Sequence, residues 1–127
     1  MIVPKPLFKK DRKKWKGKAI TLAKKQVREE FGHCQICKKS GGKLEGAHII
    51  PVDFEATAAD KENILCLCPQ CHKFNKCSAH MNPVWFSNWL EDNFPGRKDR
   101  LWEKAKPCTN YSAYDWKEIY DNLKGGK

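Results

Sequence analysis

Nowhere in the chain does an uncharged apolar stretch exceed a few residues, which excludes a membrane-spanning helix. The opening stretch MIVPKPLFKKDRKK lacks an apolar core followed by a small-residue cleavage site, so it is not read as a secretory leader. An intracellular, cytoplasmic address is expected in consequence. Internal repeats, low-complexity tracts and signs of a second domain are missing too, and residues 1–127 are expected to form a single domain. Acidic residues are scarce at the start: Asp11 stands alone among eleven Lys and Arg in residues 1–28. An even cysteine complement is also lacking. Seven cysteines in a chain expected to meet a reducing environment argue against a disulfide framework and for metal ligation.

What is present is a soluble composition, 40% hydrophobic and 31% charged, with a lopsided charge. Beyond residue 28 the chain carries fourteen charges of each sign, so the whole net charge of +10 resides in residues 1–28. Lysines and arginines massed this way displace counterions from a polyanion, which points to nucleic acid; a solvated helix face is the plainer alternative. Residues 1–10, with Pro4 and Pro6, are expected to form an extended arm. From Arg12 to Phe31, Trp15, Ala19, Leu22, Ala23, Val27 and Phe31 recur at helical spacing, and Gly32 should end that helix. Lys43 to Val52 reads as a short strand pair or a strand and turn, with Ile49-Ile50 its most β-prone point. Asp53 to Asn63 reads as a loop, Ile64 to Cys68 as a strand, and Cys71 to Cys77 as the opening of a helix. Pro83, Pro95 and Pro107 divide the remainder into three helices, the last starting at Ser112 with Asp115 as its capping-box partner. The large aromatics of this region are expected in the core.

Cys34-Gln-Ile-Cys37 and Cys68-Pro-Gln-Cys71 are two C-x-x-C pairs, 30 residues apart. Each offers two thiolates from a tight turn, and together they make a closed tetrahedral sulfur site for structural zinc, with no open position for catalysis. A single redox pair would need a βαβ context, which is missing. Pinning both ends of residues 38–67 brings His48 and Asn63 near His72. Cys66, Cys77 and Cys108 are left over. Cys77 and His80 have C-x-x-H spacing without a partner pair and are read as packing residues; His33 is likewise read as a satisfied structural histidine.

Leu44-Glu-Gly-Ala-His48-Ile-Ile-Pro51, Glu62-Asn63-Ile-Leu-Cys-Leu-Cys68 and Cys71-His72 follow in an order that resembles the HNH endonuclease family, over roughly Cys34 to Lys76. The resemblance implies an α+β fold, a zinc-stapled ββα-metal core over residues 33–78. A basic arm and helix (1–32) would precede it and a helical part of about three helices (79–127) would follow. It is the pattern of small free-standing, phage-like members. It implies metal-dependent hydrolysis of DNA phosphodiester bonds, nicking or double-strand cutting, leaving a 5′-phosphate and a 3′-hydroxyl. His48 would be the general base, suited by an imidazole that titrates near neutrality. His72 would hold a catalytic divalent cation, Mg²⁺ or Mn²⁺ with Ni²⁺ or Zn²⁺ as alternatives. Asn63 would hold the hairpin, and with it His48, in place.

The chain departs from that pattern at Ala47, where many members carry an Asp or His metal ligand. Glu45 shares a strand face with position 47 and is the first replacement, directly or through water, with Asp53 and Glu55 next. The alternative is a zinc-dependent nucleic-acid-binding module that has lost catalysis. A zinc-stabilised protein-interaction domain accounts for the cysteines but not for His48, Asn63 and His72 or the basic segment. DNA is the expected partner, RNA is disfavoured, no membrane is involved, and monomer and homodimer stay open.

Overall fold

The computed structural model of the protein describes residues 9–125, with Lys9 by its backbone alone. In chain order it contains α1 (Lys9–Phe31), β1 (Glu45–His48), α2 (Glu55–Ala58), β2 (Ile64–Leu67), α3 (Pro83–Asn93), α4 (Arg97–Ala105) and α5 (Ala113–Lys124). A 3₁₀ turn at Lys61–Asn63 precedes β2, and one π-helical turn at Gln70–Phe74 follows it. The architecture is α+β around a two-stranded sheet. The arm expected over residues 1–10 lies outside the described residues as far as Phe8; Lys9 and Lys10 are already helical. No helix among the described residues is long and apolar enough to cross a membrane.

Ala19, Ala23 and Val27 fall four apart, so they share one face of α1 and are buried against Ile64 and Cys66 of β2 and Trp116 of α5. Small residues let α1 lie close to the strand. Arg12 bonds to the Tyr111 carbonyl and Gln26 to that of Leu123, so α1 and α5 run side by side in the same direction. Phe31, the last of the expected stripe, is exposed. The helix has outrun the core there, and Gly32, at φ +67°, turns the chain towards Cys34.

The strands are antiparallel, with Glu45 opposite Leu67 and His48 opposite Ile64. Alternation along β2 divides the interior. Ile64 and Cys66 face α1 and α5, whereas Leu65 and Leu67 enter a second cluster with Ala47, Cys34, Phe86 and Leu90. β2 is therefore apolar throughout and buried on both faces. Gln35 covers its outer edge: its amide donates to the Cys66 carbonyl and its side-chain oxygen accepts from the Cys66 amide, both at 2.8 Å.

Three sequence expectations are corrected. Ile49 and Ile50 lie beyond β1, because the Asn63 side chain takes up the backbone groups of Ile50 that a longer strand would have paired. The supposed loop 53–63 contains α2 and the 3₁₀ turn, the latter capped by Asp60. No helix runs from Cys71 to Cys77; only the π-helical turn forms, after which the chain folds back towards α3. The C-terminal expectations hold. Asn82 caps α3 with Pro83 in its first turn, Gly96 at φ +80° separates α3 from α4, and Ser112 and Asp115 close a reciprocal capping box on α5. Trp116 and Phe86 are core, but Trp102 is exposed.

Candidate metal centre and active-site cleft

The two C-x-x-C turns meet at one point. The Sγ atoms of Cys34, Cys37, Cys68 and Cys71 all lie within 4.8 Å of one another. Cys37 Sγ and Cys68 Sγ are 3.8 Å apart. Four thiolates bound tetrahedrally at about 2.3 Å would sit about 3.8 Å apart, so the cluster is positioned to bind a metal ion and fits a zinc site. Burial would raise the Cys34 thiol, yet amides of Cys37, Cys68 and Ile36 directed at its sulfur bring it down to about 7. Burial and the neighbouring thiols push Cys71 up. A divalent ion held by the four would resolve that opposition by allowing all of them to ionise. Three of the four are buried and Cys37 is exposed.

Beside β1 opens a cleft of about 870 Å³. His48, His72, His80, Lys24, Lys73, Lys98 and Asp99 line it together with apolar groups that include Phe54, Phe86 and Trp102. His48, the last residue of β1, places Nε2 2.7 Å from the Ala58 carbonyl. Burial holds its imidazole below the ordinary value, opposed by the Ala58 bond and reinforced by the charges of Lys24 and His72. His72 Nδ1 is 2.8 Å from Glu45 Oε1. Burial lowers His72 while the Glu45 bond raises it. The His72 hydrogen bond, with help from Lys73 and Lys43, keeps the Glu45 carboxyl below its usual range. Asn63 is fully buried: Oδ1 accepts from the Ile50 amide at 2.7 Å, and Nδ2 donates to the carbonyls of Ile50 and Thr57 at 3.0 Å. It joins the end of β1 to α2, whose Ala58 carbonyl meets His48.

The HNH endonuclease family profile matches residues 34–76, spanning both C-x-x-C turns, His48, Asn63 and His72. The chain is also 41% identical over 56 residues to Anaredoxin of Nostoc sp. (strain PCC 7120 / SAG 25.82 / UTEX 2576), a match covering 42% of this chain and 72% of that protein. This chain belongs to the HNH endonuclease family. No solved structure matches it.

In this HNH protein the residues singled out from the sequence fall unequally. His48 and His72 share the cleft, Asn63 supports it from within the core, and Glu45 reaches it through His72. Ala47 is buried among Leu65, Leu67, Phe86 and Leu90. Asp53 is exposed. Glu55 is used elsewhere: it is buried, paired with Arg12 and Lys16, and accepts from the Tyr111 amide at 2.8 Å. Neither belongs to the cleft lining. His33 binds the Phe31 carbonyl through Nδ1, as a satisfied histidine does. Cys77 and His80, read as packing residues, are both exposed, and His80 stands in the cleft.

Lys24 and His80 are among the residues of the HNH cleft that escaped sequence reading. Lys24 was one basic residue among many on α1. Its stem crosses Gly46 so closely that a Cβ there would lie 2.6 Å from Lys24 Cγ. A glycine two residues before His48, inside a strand, was the sign of such a close approach. His80 was visible only as the C-x-x-H spacing with Cys77, which pointed to the wrong neighbour.

Proposed function

We propose that this HNH protein is a metal-dependent DNA endonuclease, in which His48 is the general base and His72 holds the catalytic divalent cation. The observation that carries this reading is the 2.7 Å contact of His48 Nε2 with the Ala58 carbonyl inside the cleft. A carbonyl only accepts, so Nε2 carries the proton and Nδ1 is left as the basic nitrogen. Burial keeps that imidazole neutral at neutral pH, ready to take a proton from water at Nδ1. Asn63 positions His48 by tying Ile50, two residues on, to Thr57, next to Ala58. Lys24 supplies positive charge to the phosphate from the α1 side.

The cation of this reading is Mg²⁺ or Mn²⁺, with Ni²⁺ or Zn²⁺ as the alternatives that an imidazole donor suits better. Glu45 accepts from His72 Nδ1 and leaves Nε2 as the metal-binding nitrogen, the arrangement by which carboxylates orient metal-bound histidines. Glu45 thus serves the cation through His72. When bound, the cation polarises the phosphate and takes up charge on the departing 3′ oxygen. Residues 1–127 act as one domain in this reading, because α1 and α5 pack on the strand beside the site. DNA is the partner, the four-cysteine site holds structural zinc, and a cytoplasmic setting keeps the thiols reduced.

The apolar surroundings of Ala47 favour a second reading, a zinc-dependent nucleic-acid-binding module, since no donor stands at that position. Supercoiled plasmid with Mg²⁺ or Mn²⁺ separates the two. The nuclease converts it to nicked or linear DNA and His48→Ala does not. Wild-type protein that binds duplex but leaves it intact with all four cations is the binding module.

A further inference from the structure

Two histidines, not one, stand at the metal end of the cleft. The rings of His72 and His80 are 4.5 Å apart between centres, with 76° between their planes. Backbone builds this contact. After the π-helical turn the Ala79 amide donates to the Cys71 carbonyl and the His80 amide to that of His72, both at 3.0 Å. Ser78, fully buried, accepts from the Met81 amide through Oγ and from the Asn82 amide through its carbonyl. Asn82 in turn caps α3. His80 is therefore set between a turn carrying two of the four clustered thiolates and a capped helix, while its own side chain stays open to solvent. Two imidazoles that share a cation at about 2.0–2.1 Å have ring centres on the order of 5 Å apart. The pair already has that spacing.

We propose that His80 is the second protein ligand of the divalent cation held by His72, supplying the donor that Ala47 does not. The site is then a pair of imidazoles, with Glu45 fixing the first from behind. Such a donor set favours Ni²⁺, Co²⁺ or Zn²⁺ over Mg²⁺ in affinity. The use of the ion rests on the nuclease reading; its binding does not.

The test is isothermal titration of full-length, zinc-loaded protein with Ni²⁺, alone and with a DNA duplex, with zinc content measured throughout. Wild type is expected to take up one Ni²⁺ beyond its zinc. His80→Ala should weaken that binding about 10-fold to 100-fold with zinc and melting temperature unchanged, and His72→Ala at least as much. If His80→Ala lowers the zinc content, His80→Asn replaces it. Binding of Ni²⁺ by the His80 variant with wild-type affinity overturns the proposal, as does a wild type that takes no second ion in either condition. Cleavage assays in parallel keep the two readings apart. A His80-dependent site in a protein that cuts nothing supports the site and removes the nuclease. A protein that cuts, but whose His80 variant keeps both its Ni²⁺ affinity and its metal requirement, supports the nuclease and removes the site.

Discussion

At the scale of single residues, the chemistry turns on which nitrogen of each histidine is spoken for. His48 gives Nε2 to Ala58, and His72 gives Nδ1 to Glu45. His48→Ala should abolish plasmid cleavage, a loss of about 10² to 10⁴ in rate, while zinc content and duplex affinity remain. Because burial depresses His48, with Lys24 contributing, its neutral form persists somewhat below the ordinary imidazole range. The cleavage rate should hold as pH falls to that lowered value and then drop as Nδ1 protonates. Lys24→Met removes one lowering charge, so the acid limb of its pH–rate profile should move to higher pH. A limb that stays in place would remove Lys24 from the surroundings of His48. Asn63→Ala leaves the buried amide and carbonyl of Ile50 without partners, whereas the Thr57 carbonyl still accepts from the Asp60 amide. It should cost about 2–6 kcal/mol in urea unfolding, at about 1–3 kcal/mol for each of the two unsatisfied groups.

At the scale of elements, the join between α1 and the sheet decides most. Gly46 is where the stem of Lys24 passes over β1, and Gly46→Ala would put a methyl 2.6 Å from Lys24 Cγ. The clash involves the near end of the lysine, which cannot swing clear without moving α1. Gly46→Ala should cost about 1–3 kcal/mol, the usual range for overpacking. Adding Lys24→Ala should recover most of the loss in a double-mutant cycle by denaturant unfolding. A purely additive pair would mean that the glycine serves the strand rather than the crossing. Glu55 ties α2 to α1 and to the segment before α5. Burial alone would raise its pKa, but the Tyr111 amide and Arg12 outweigh burial and lower it. The sign follows: Glu55 contributes its stability above about pH 4.3, its value in the unfolded chain, and loses it as pH falls through the lower folded value. Glu55→Gln should flatten the acid side of the stability–pH curve in thermal melts.

At the scale of the whole molecule, charge and metal are separate devices. Lys13, Lys14, Lys18 and Lys25 line a shallow groove on α1 with Tyr120, on the side away from Ala19, Ala23 and Val27. Arg12, by contrast, is engaged with Glu55 and Tyr111. Truncation through Lys14 would therefore disturb packing as well as charge, whereas changing Lys13 and Lys25 to Gln tests charge and leaves the contacts of Lys14 and Lys18 with the Trp15 ring in place. For every phosphate that a lysine no longer reaches, the log–log salt dependence of DNA binding should flatten by about 0.9. An unchanged slope would return these lysines to solvent. The four-cysteine site instead sits at the ends of the sheet segment: its two turns bracket β1 and β2, and the backbone of the second carries His72 and, through two hydrogen bonds, His80.

Much of this was legible in the linear chain, for local reasons. Thiolate spacing, the period of Ala19, Ala23 and Val27, the apolar run of β2 and the caps at Asn82 and Ser112 each depend on residues within a turn or two of one another. The order of His48, Asn63 and His72 was legible for a different reason, because the family pattern carries it. The sequence by itself determined the α+β class, the four-cysteine set and the positions of α1, α3, α4 and α5. Only the tertiary structure decided the rest. Ile49-Ile50 left the strand because Asn63, thirteen residues from Ile50, outbid a ladder partner. Glu55 was withdrawn from the metal candidates by Arg12, forty-three residues away. Lys24 entered the cleft because α1 crosses β1 at a glycine, and His80 because a folded-back loop returned it to His72. Each depends on contacts between distant segments, whose energies no local spacing encodes.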